Sequence, residues 1–178
     1  KNPSVILQET YTKPLVVGES NPSLVKKGKD IEVSGQNWAG YQGPSHEQTK
    51  FSGIQDTLSV IKTSDGRMAI VFGDGVSIGA NPQLASLAVV ESAVDLASAK
   101  DVTLPDIAAQ AEKAIVGLTS AVTSKDIVKG SLASGDSQML ATVRGKVFER
   151  NGIGATTMGG GIIDENSGIG EFGIFGDG

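Results

Sequence analysis

The 178-residue chain contains no cysteine, which excludes disulfides and thiolate-ligated metal sites. It has a single histidine, His46. That residue lies in a polar stretch with no second ligand at metal spacing, so it reads as an exposed loop residue. There is no excess of positive charge: 15 Lys and Arg stand against 20 Asp and Glu, for a net charge of −5. This argues against nonspecific nucleic-acid binding and against anionic membrane surfaces. No N-terminal signal-peptide pattern is present, and no apolar run is long enough to span a bilayer. The expectation is a cytoplasmic protein with neither a nucleic-acid nor a membrane partner. No internal repeat and no low-complexity tail stand out.

Hydrophobic residues make up 39% of the chain, enough for one domain with a sizeable core. Residues 1–40 mix short apolar runs with Pro, Gly and Asn and read as an N-terminal extension of short strands. Residues 41–178 form the main domain. In it, DTLSVIKT (56–63) and the apolar MAIVF (68–72) flank the turn SDGR, which predicts a hairpin. Asp56 and Asp74 lie about eight residues from that turn, at the same end of the hairpin. Two carboxylates are thus expected to meet at one sheet end, with Asp74 on a glycine turn just past the second strand. Asn81 and Pro82 mark a helix start, and Leu87, Val90, Val94 and Ala97 form the apolar face of a helix over 82–99. Thr103 and Asp106 have capping-box spacing before a second helix, 104–123. Residues 124–137 read as loop, 138–150 as helix despite Gly145, and the glycine-rich segments around the turn ENSG (165–168) as a second hairpin. Strands, then helices, then strands is an α+β pattern of antiparallel sheet with helices packed on a face. It lacks the alternation of a doubly wound parallel sheet.

The segment GDGVSIG (73–79) admits several readings. Gly73, Gly75 and Gly79 are spaced one residue too long for a dinucleotide-binding loop. GVSIG between a strand and a helix fits a serine-nucleophile elbow with Ser77, but the only histidine precedes the serine, and a hydroxyl without a base is a poor nucleophile. A plain glycine turn and a metal ligand at Asp74 remain, and the converging Asp56 favours the metal.

GIQDTLSV, MAIVFGDGVSIGANPQLASLAVVES, GATTMGGGII and FGIFGDG occur in this order. Over residues 43–178 they resemble successive motifs of the PP2C (PPM) family of metal-dependent protein serine/threonine phosphatases. The resemblance implies an antiparallel β-sandwich flanked by helices and two or more Mg²⁺ or Mn²⁺ ions. Asp56, Asp74, the carbonyl of Gly75, and Asp177 match the family's metal ligands. Hard divalent cations take such oxygen ligands and activate water for in-line attack on a phosphate ester. The implied reaction is hydrolysis of phosphoserine or phosphothreonine by a metal-bound water, with a phosphoprotein substrate and no protein nucleophile.

Two positions depart from the family pattern. Phe51 stands where an arginine usually holds the substrate phosphate, leaving Lys50 as a less directional phosphate-binding charge. Gln55 replaces an acid. The family's later aspartates would lie beyond Gly178, so the resemblance implies a C-terminally incomplete or divergent domain. The alternatives are a catalytically inactive regulatory or binding pseudophosphatase, with a protein partner in place of a substrate, and a serine hydrolase using Ser77. Trp38 reads as a packing anchor and KKGK (26–29) as a solvated basic turn. DENSG (164–168) lacks the spaced acids of a calcium loop.

Overall fold

The structure is a computed structural model and describes residues 5–11, 24–35, 56–63, 65–76, 79–97, 99, 101–133 and 136–176. At its centre is the hairpin that the pattern after residue 56 specifies. Strands β4 (Thr57–Thr63) and β5 (Arg67–Gly75) pair antiparallel from Thr57↔Gly73 to Lys62↔Met68. Gly66 makes the turn with φ of 87°, a conformation that favours a residue without Cβ. β1 (Val5–Tyr11) pairs with β4, β6 (Thr156–Asp164) with β5, and β7 (Ile169–Phe175) with β6. The result is a five-stranded antiparallel sheet in the order β1-β4-β5-β6-β7. β2 (Leu24–Lys27) and β3 (Glu32–Gly35) form a separate two-stranded ribbon. The chain between β5 and β6 is helical: α1 (Pro82–Ala97), α2 (Leu104–Ala121), α3 (Ser124–Ala133) and α4 (Gln138–Asn151). This is the α+β class the element order implies.

One face of the sheet carries the helices. The side chain of Asn81 accepts from the amide of Leu84 at 3.0 Å and starts α1. The buried stripe of α1 is Ala85, Val89, Val90, Ala93 and Val94. Leu87, expected in that stripe, is only half-buried. Small residues bring α1 close to the sheet: a Cβ on Gly73 would stand 3.1 Å from the carbonyl oxygen of Ser86. The hydroxyls of Thr57 and Ser86, both fully buried, share a hydrogen bond of 3.0 Å. α2 starts at the Thr103–Asp106 capping box and adds Leu104, Ile107 and Ala111 to the core with Val71 and Met158. Among the described residues the opposite face is covered at one end, where Val33 of the ribbon packs on Leu58, Val60 and Met68.

The segment expected as loop contains a helix, α3. Thr123 and Asp126 build a second capping box. The Asp126 carboxylate accepts from the Thr123 amide at 2.9 Å, and the Thr123 hydroxyl accepts from the Asp126 amide at 3.3 Å. Ile127 then anchors the helix in a core cluster with Ala85 and Ile153. Gly145 is tolerated in α4 because α3 leaves no room there: a Cβ would lie 2.7 Å from Val128 Cγ2.

Candidate functional site

β5 runs further than expected. Gly73, Asp74 and Gly75 do not form a turn; they belong to the strand and pair with Met158, Thr157 and Thr156 of β6. The Thr156 hydroxyl donates to the Asp74 carbonyl at 2.7 Å. Tertiary pairing with the Gly-Ala-Thr-Thr segment thus overrides the turn preference of the glycines. One step beyond Thr57↔Gly73, the register sets Asp56 opposite Asp74. The two side chains hydrogen-bond each other. Burial, then the hydrogen bond with Asp74 and its charge, push the Asp56 carboxyl up to about 6 from 3.8. Below that value Asp56 keeps its proton and its carboxyl donates to the Asp74 side chain, which is how the bond favours the neutral form of Asp56.

Successive strand residues alternate between faces, so Asp74 shares its face with Phe72, Ile70 and Met68, away from α1. Along this line Met68 is fully buried under the ribbon, Phe72 is 40% exposed, and Asp74 is exposed. The register places Phe172 and Ile174 of β7 on the same face, and both are exposed. The glycines of β6 seat the rings. A Cβ on Gly159 would lie 2.2 Å from the Phe72 ring, and one on Gly161 would lie 2.5 Å from the Phe172 ring. Among the described residues the acid pair therefore borders an exposed apolar platform.

The backbone leading from β5 to α1 is tied from both sides. Val76 and Asn81 donate their amides to the carbonyls of Ala155 and Ile153, each at 3.1 Å. Arg144 of α4 donates to the Gly79 carbonyl at 3.2 Å and pairs with Asp136 at 3.0 Å. Asp136 also accepts from the Ser131 hydroxyl. Sequence reasoning did not single out Arg144 or Asp136. The Gly79 carbonyl lies 65 residues from Arg144, and no local motif marks the Asp136–Arg144 pair, eight residues apart.

Of the residues the sequence nominated, the structure brings Asp56, Asp74 and the adjacent, buried Gly75 together at one sheet end. Lys50, Asp177 and Ser77 lie outside the described residues, as do His46, Trp38, Phe51 and Gln55. Among the described residues no group of three or more His, Cys, Asp or Glu side chains could hold a metal ion. The KKGK turn does more than meet solvent. Lys62 donates to the Lys27 carbonyl at 3.1 Å and pairs with Glu165 at 3.7 Å, while the Lys29 amide donates to Glu165. This latches the ribbon to the β6–β7 turn. In DENSG the Asp164 carboxylate accepts from the Asn166 amide at 2.8 Å and the Ser167 hydroxyl at 3.0 Å, so it closes its own turn.

No protein-family model, curated protein or solved structure matches the chain. The site is therefore read from its chemistry. Two facing carboxyl groups are an all-oxygen donor set of the kind that hard divalent cations take. No helix among the described residues is long and apolar enough to cross a membrane.

Proposed function

We propose that this chain is a PP2C-like, metal-dependent phosphoprotein phosphatase domain that hydrolyses phosphoserine or phosphothreonine. The observation that carries the reading is the Asp56–Asp74 pair, held face to face by the β4–β5 register. The order of the motifs around it adds support. So does the apolar platform of Phe72, Phe172 and Ile174, the kind of face that the second sheet of an antiparallel β-sandwich covers. In this reading Asp56, Asp74 and the Gly75 carbonyl hold Mg²⁺ or Mn²⁺. When bound, the cation supplies Lewis-acid activation of water and neutralises phosphate charge. The chain's own contribution is to fix Asp74 on β5 and Asp56 immediately before β4, through the Thr57–Ser86 hydrogen bond and the close approach of α1 at Gly73. Lys50 attracts the phosphate and Asp177 contributes a further ligand. A cytoplasmic phosphoprotein substrate belongs to the same reading.

A second reading, a binding or regulatory pseudophosphatase, is favoured by Phe51 and Gln55 and by the convergence of only two carboxylates among the described residues. Hydrolysis of p-nitrophenyl phosphate and of a phosphothreonine peptide separates the two. The phosphatase reading expects Mn²⁺-dependent turnover that Asp74→Ala abolishes and Ser77→Ala leaves intact. Turnover indifferent to Asp74→Ala overturns it. Mn²⁺ binding to a folded chain without turnover supports the pseudoenzyme, and esterase activity lost in Ser77→Ala would restore the serine-hydrolase alternative.

A further inference from the structure

Helices α3 and α4 contribute nothing to the acid pair. They pack on each other and, through Ile127, Val147 and Phe148, join a core cluster that contains no strand residue. Between their outer sides lies an open groove of about 520 Å³. Its floor is apolar: Val128 is half-buried, Leu132 is 39% exposed, and Gly145 lets the two helices close up beneath. Its rim carries three exposed lysines, Lys125 and Lys129 from α3 and Lys146 from α4. Met139, one turn before the groove-lining Thr142, is 77% exposed.

The charge of this region runs against that of the chain. Residues 124–151 hold five cations (Lys125, Lys129, Arg144, Lys146, Arg150) and three acids (Asp126, Asp136, Glu149), whereas the whole chain carries −5. Asp126 is engaged at the Thr123 cap and Asp136 with Arg144. Glu149 is the one acid on the groove lining. A locally cationic rim on an acidic protein selects an anionic partner by complementarity. The floor asks for more than charge, because an apolar surface left wet is compensated only by an apolar insert.

We propose that this groove binds an acidic segment of a partner protein. Its carboxylates meet Lys125, Lys129 and Lys146 while one aliphatic side chain sits on Val128 and Leu132. This surface is separate from the acid pair and does not depend on metal binding or turnover.

The test is fluorescence anisotropy of the whole chain with a short fluorescein-labelled glutamate peptide carrying one central leucine. The wild type should bind it at low salt and lose affinity as salt rises. The triple variant Lys125→Glu, Lys129→Glu, Lys146→Glu should weaken binding by at least about tenfold, and the matching Lys→Arg triple variant should retain it. Replacing the peptide's leucine by serine should weaken binding about three- to tenfold. The exposed variant Leu132→Asn, with its fold checked by circular dichroism, should erase that difference. No binding of the leucine peptide, or unchanged binding by the charge-reversed variant, overturns the proposal. So does equal binding of a leucine-free glutamate peptide or of a single-stranded oligonucleotide, which would mark the rim as a general polyanion surface.

Discussion

Replacing Asp74 by asparagine keeps the shape of the acid pair and removes one of its charges. In the wild type the folded state holds the Asp56 proton up to about pH 6, whereas the ordinary value is 3.8. Between those values the native state binds a proton that the unfolded chain has lost. Stability therefore falls as pH rises through this window, and the loss is complete above it. The full shift, about two pH units, corresponds to about 3 kcal/mol. Because Asp56 is only half-buried, solvent screening reduces this to roughly 1–1.5 kcal/mol. Burial is the largest cause and survives the substitution, while the hydrogen bond with Asp74 and its charge do not. Asp74→Asn should thus exceed the wild type at pH 8 by roughly 0.5–1 kcal/mol. That is a rise in Tm of about 1–4 °C for a chain of this size. The two proteins should converge near the ordinary carboxylate pKa.

Urea unfolding across pH 3.5–8, read as the difference between variant and wild type, isolates the pair. Asp106, Asp126 and Asp164 are lowered by hydrogen bonds from their caps and turn. Their contribution has the opposite sign, rises with pH below the ordinary value, and cancels in the difference. Adding Mn²⁺ at pH 8 should stabilise the wild type, by about 1.4 kcal/mol at ten times its Kd, and should leave Asp74→Asn unmoved. A variant-minus-wild-type difference that stays flat or falls between pH 4 and 6, or equal Mn²⁺ responses in the two proteins, would refute the reasoning.

Gly73→Val places a side chain against Ser86, where even a Cβ meets backbone at 3.1–3.2 Å. It should cost about 1–3 kcal/mol and abolish the Mn²⁺ stabilisation by displacing Asp74, and retained Mn²⁺ stabilisation at wild-type affinity would contradict the role given to the close approach. Arg144→Met leaves Asp136, whose side chain is 6% exposed, without its cation. It should cost about 2–3 kcal/mol and speed amide exchange at Gly79 and Asn81. Unchanged exchange at those amides would show that the α4 clamp does not hold the β5–α1 connection.

The central hairpin, the helix starts and the meeting of Asp56 with Asp74 were legible because each rests on local information. Alternation gives the strands, the turn fixes the count, and the Asn-Pro and Thr-x-x-Asp spacings mark the helix starts. Two features were misread for different reasons. Thr-Ser-Lys-Asp (123–126) repeats the spacing of Thr-Leu-Pro-Asp (103–106), but the short α3 has too few apolar residues for its periodicity to register. Gly-Asp-Gly looked like a turn because glycine prefers one, whereas its strand conformation is imposed by β6, whose pairing segment lies about eighty residues downstream. The Arg144–Gly79 tie and the seating of Phe72 on Gly159 are likewise products of tertiary approach, joining residues 65 and 87 positions apart.

The location of the acid pair bears on how its chemistry is to be understood. Most of the frame around it is internally consistent: Thr57 and Ser86 satisfy each other, α1 is seated against Gly73, and Thr156 ties β6 to the Asp74 carbonyl. Against that background, two like-charged groups face one another at the end of β4 and β5 and make folding less favourable near neutral pH. Strands hold such groups more precisely than loops do. A rigid frame also prevents the pair from relieving its repulsion by moving apart. A local conflict kept within an otherwise consistent neighbourhood is the expected signature of a functional site. Here the conflict is of the kind a divalent cation would resolve, because its charge would turn the repulsion between Asp56 and Asp74 into shared coordination.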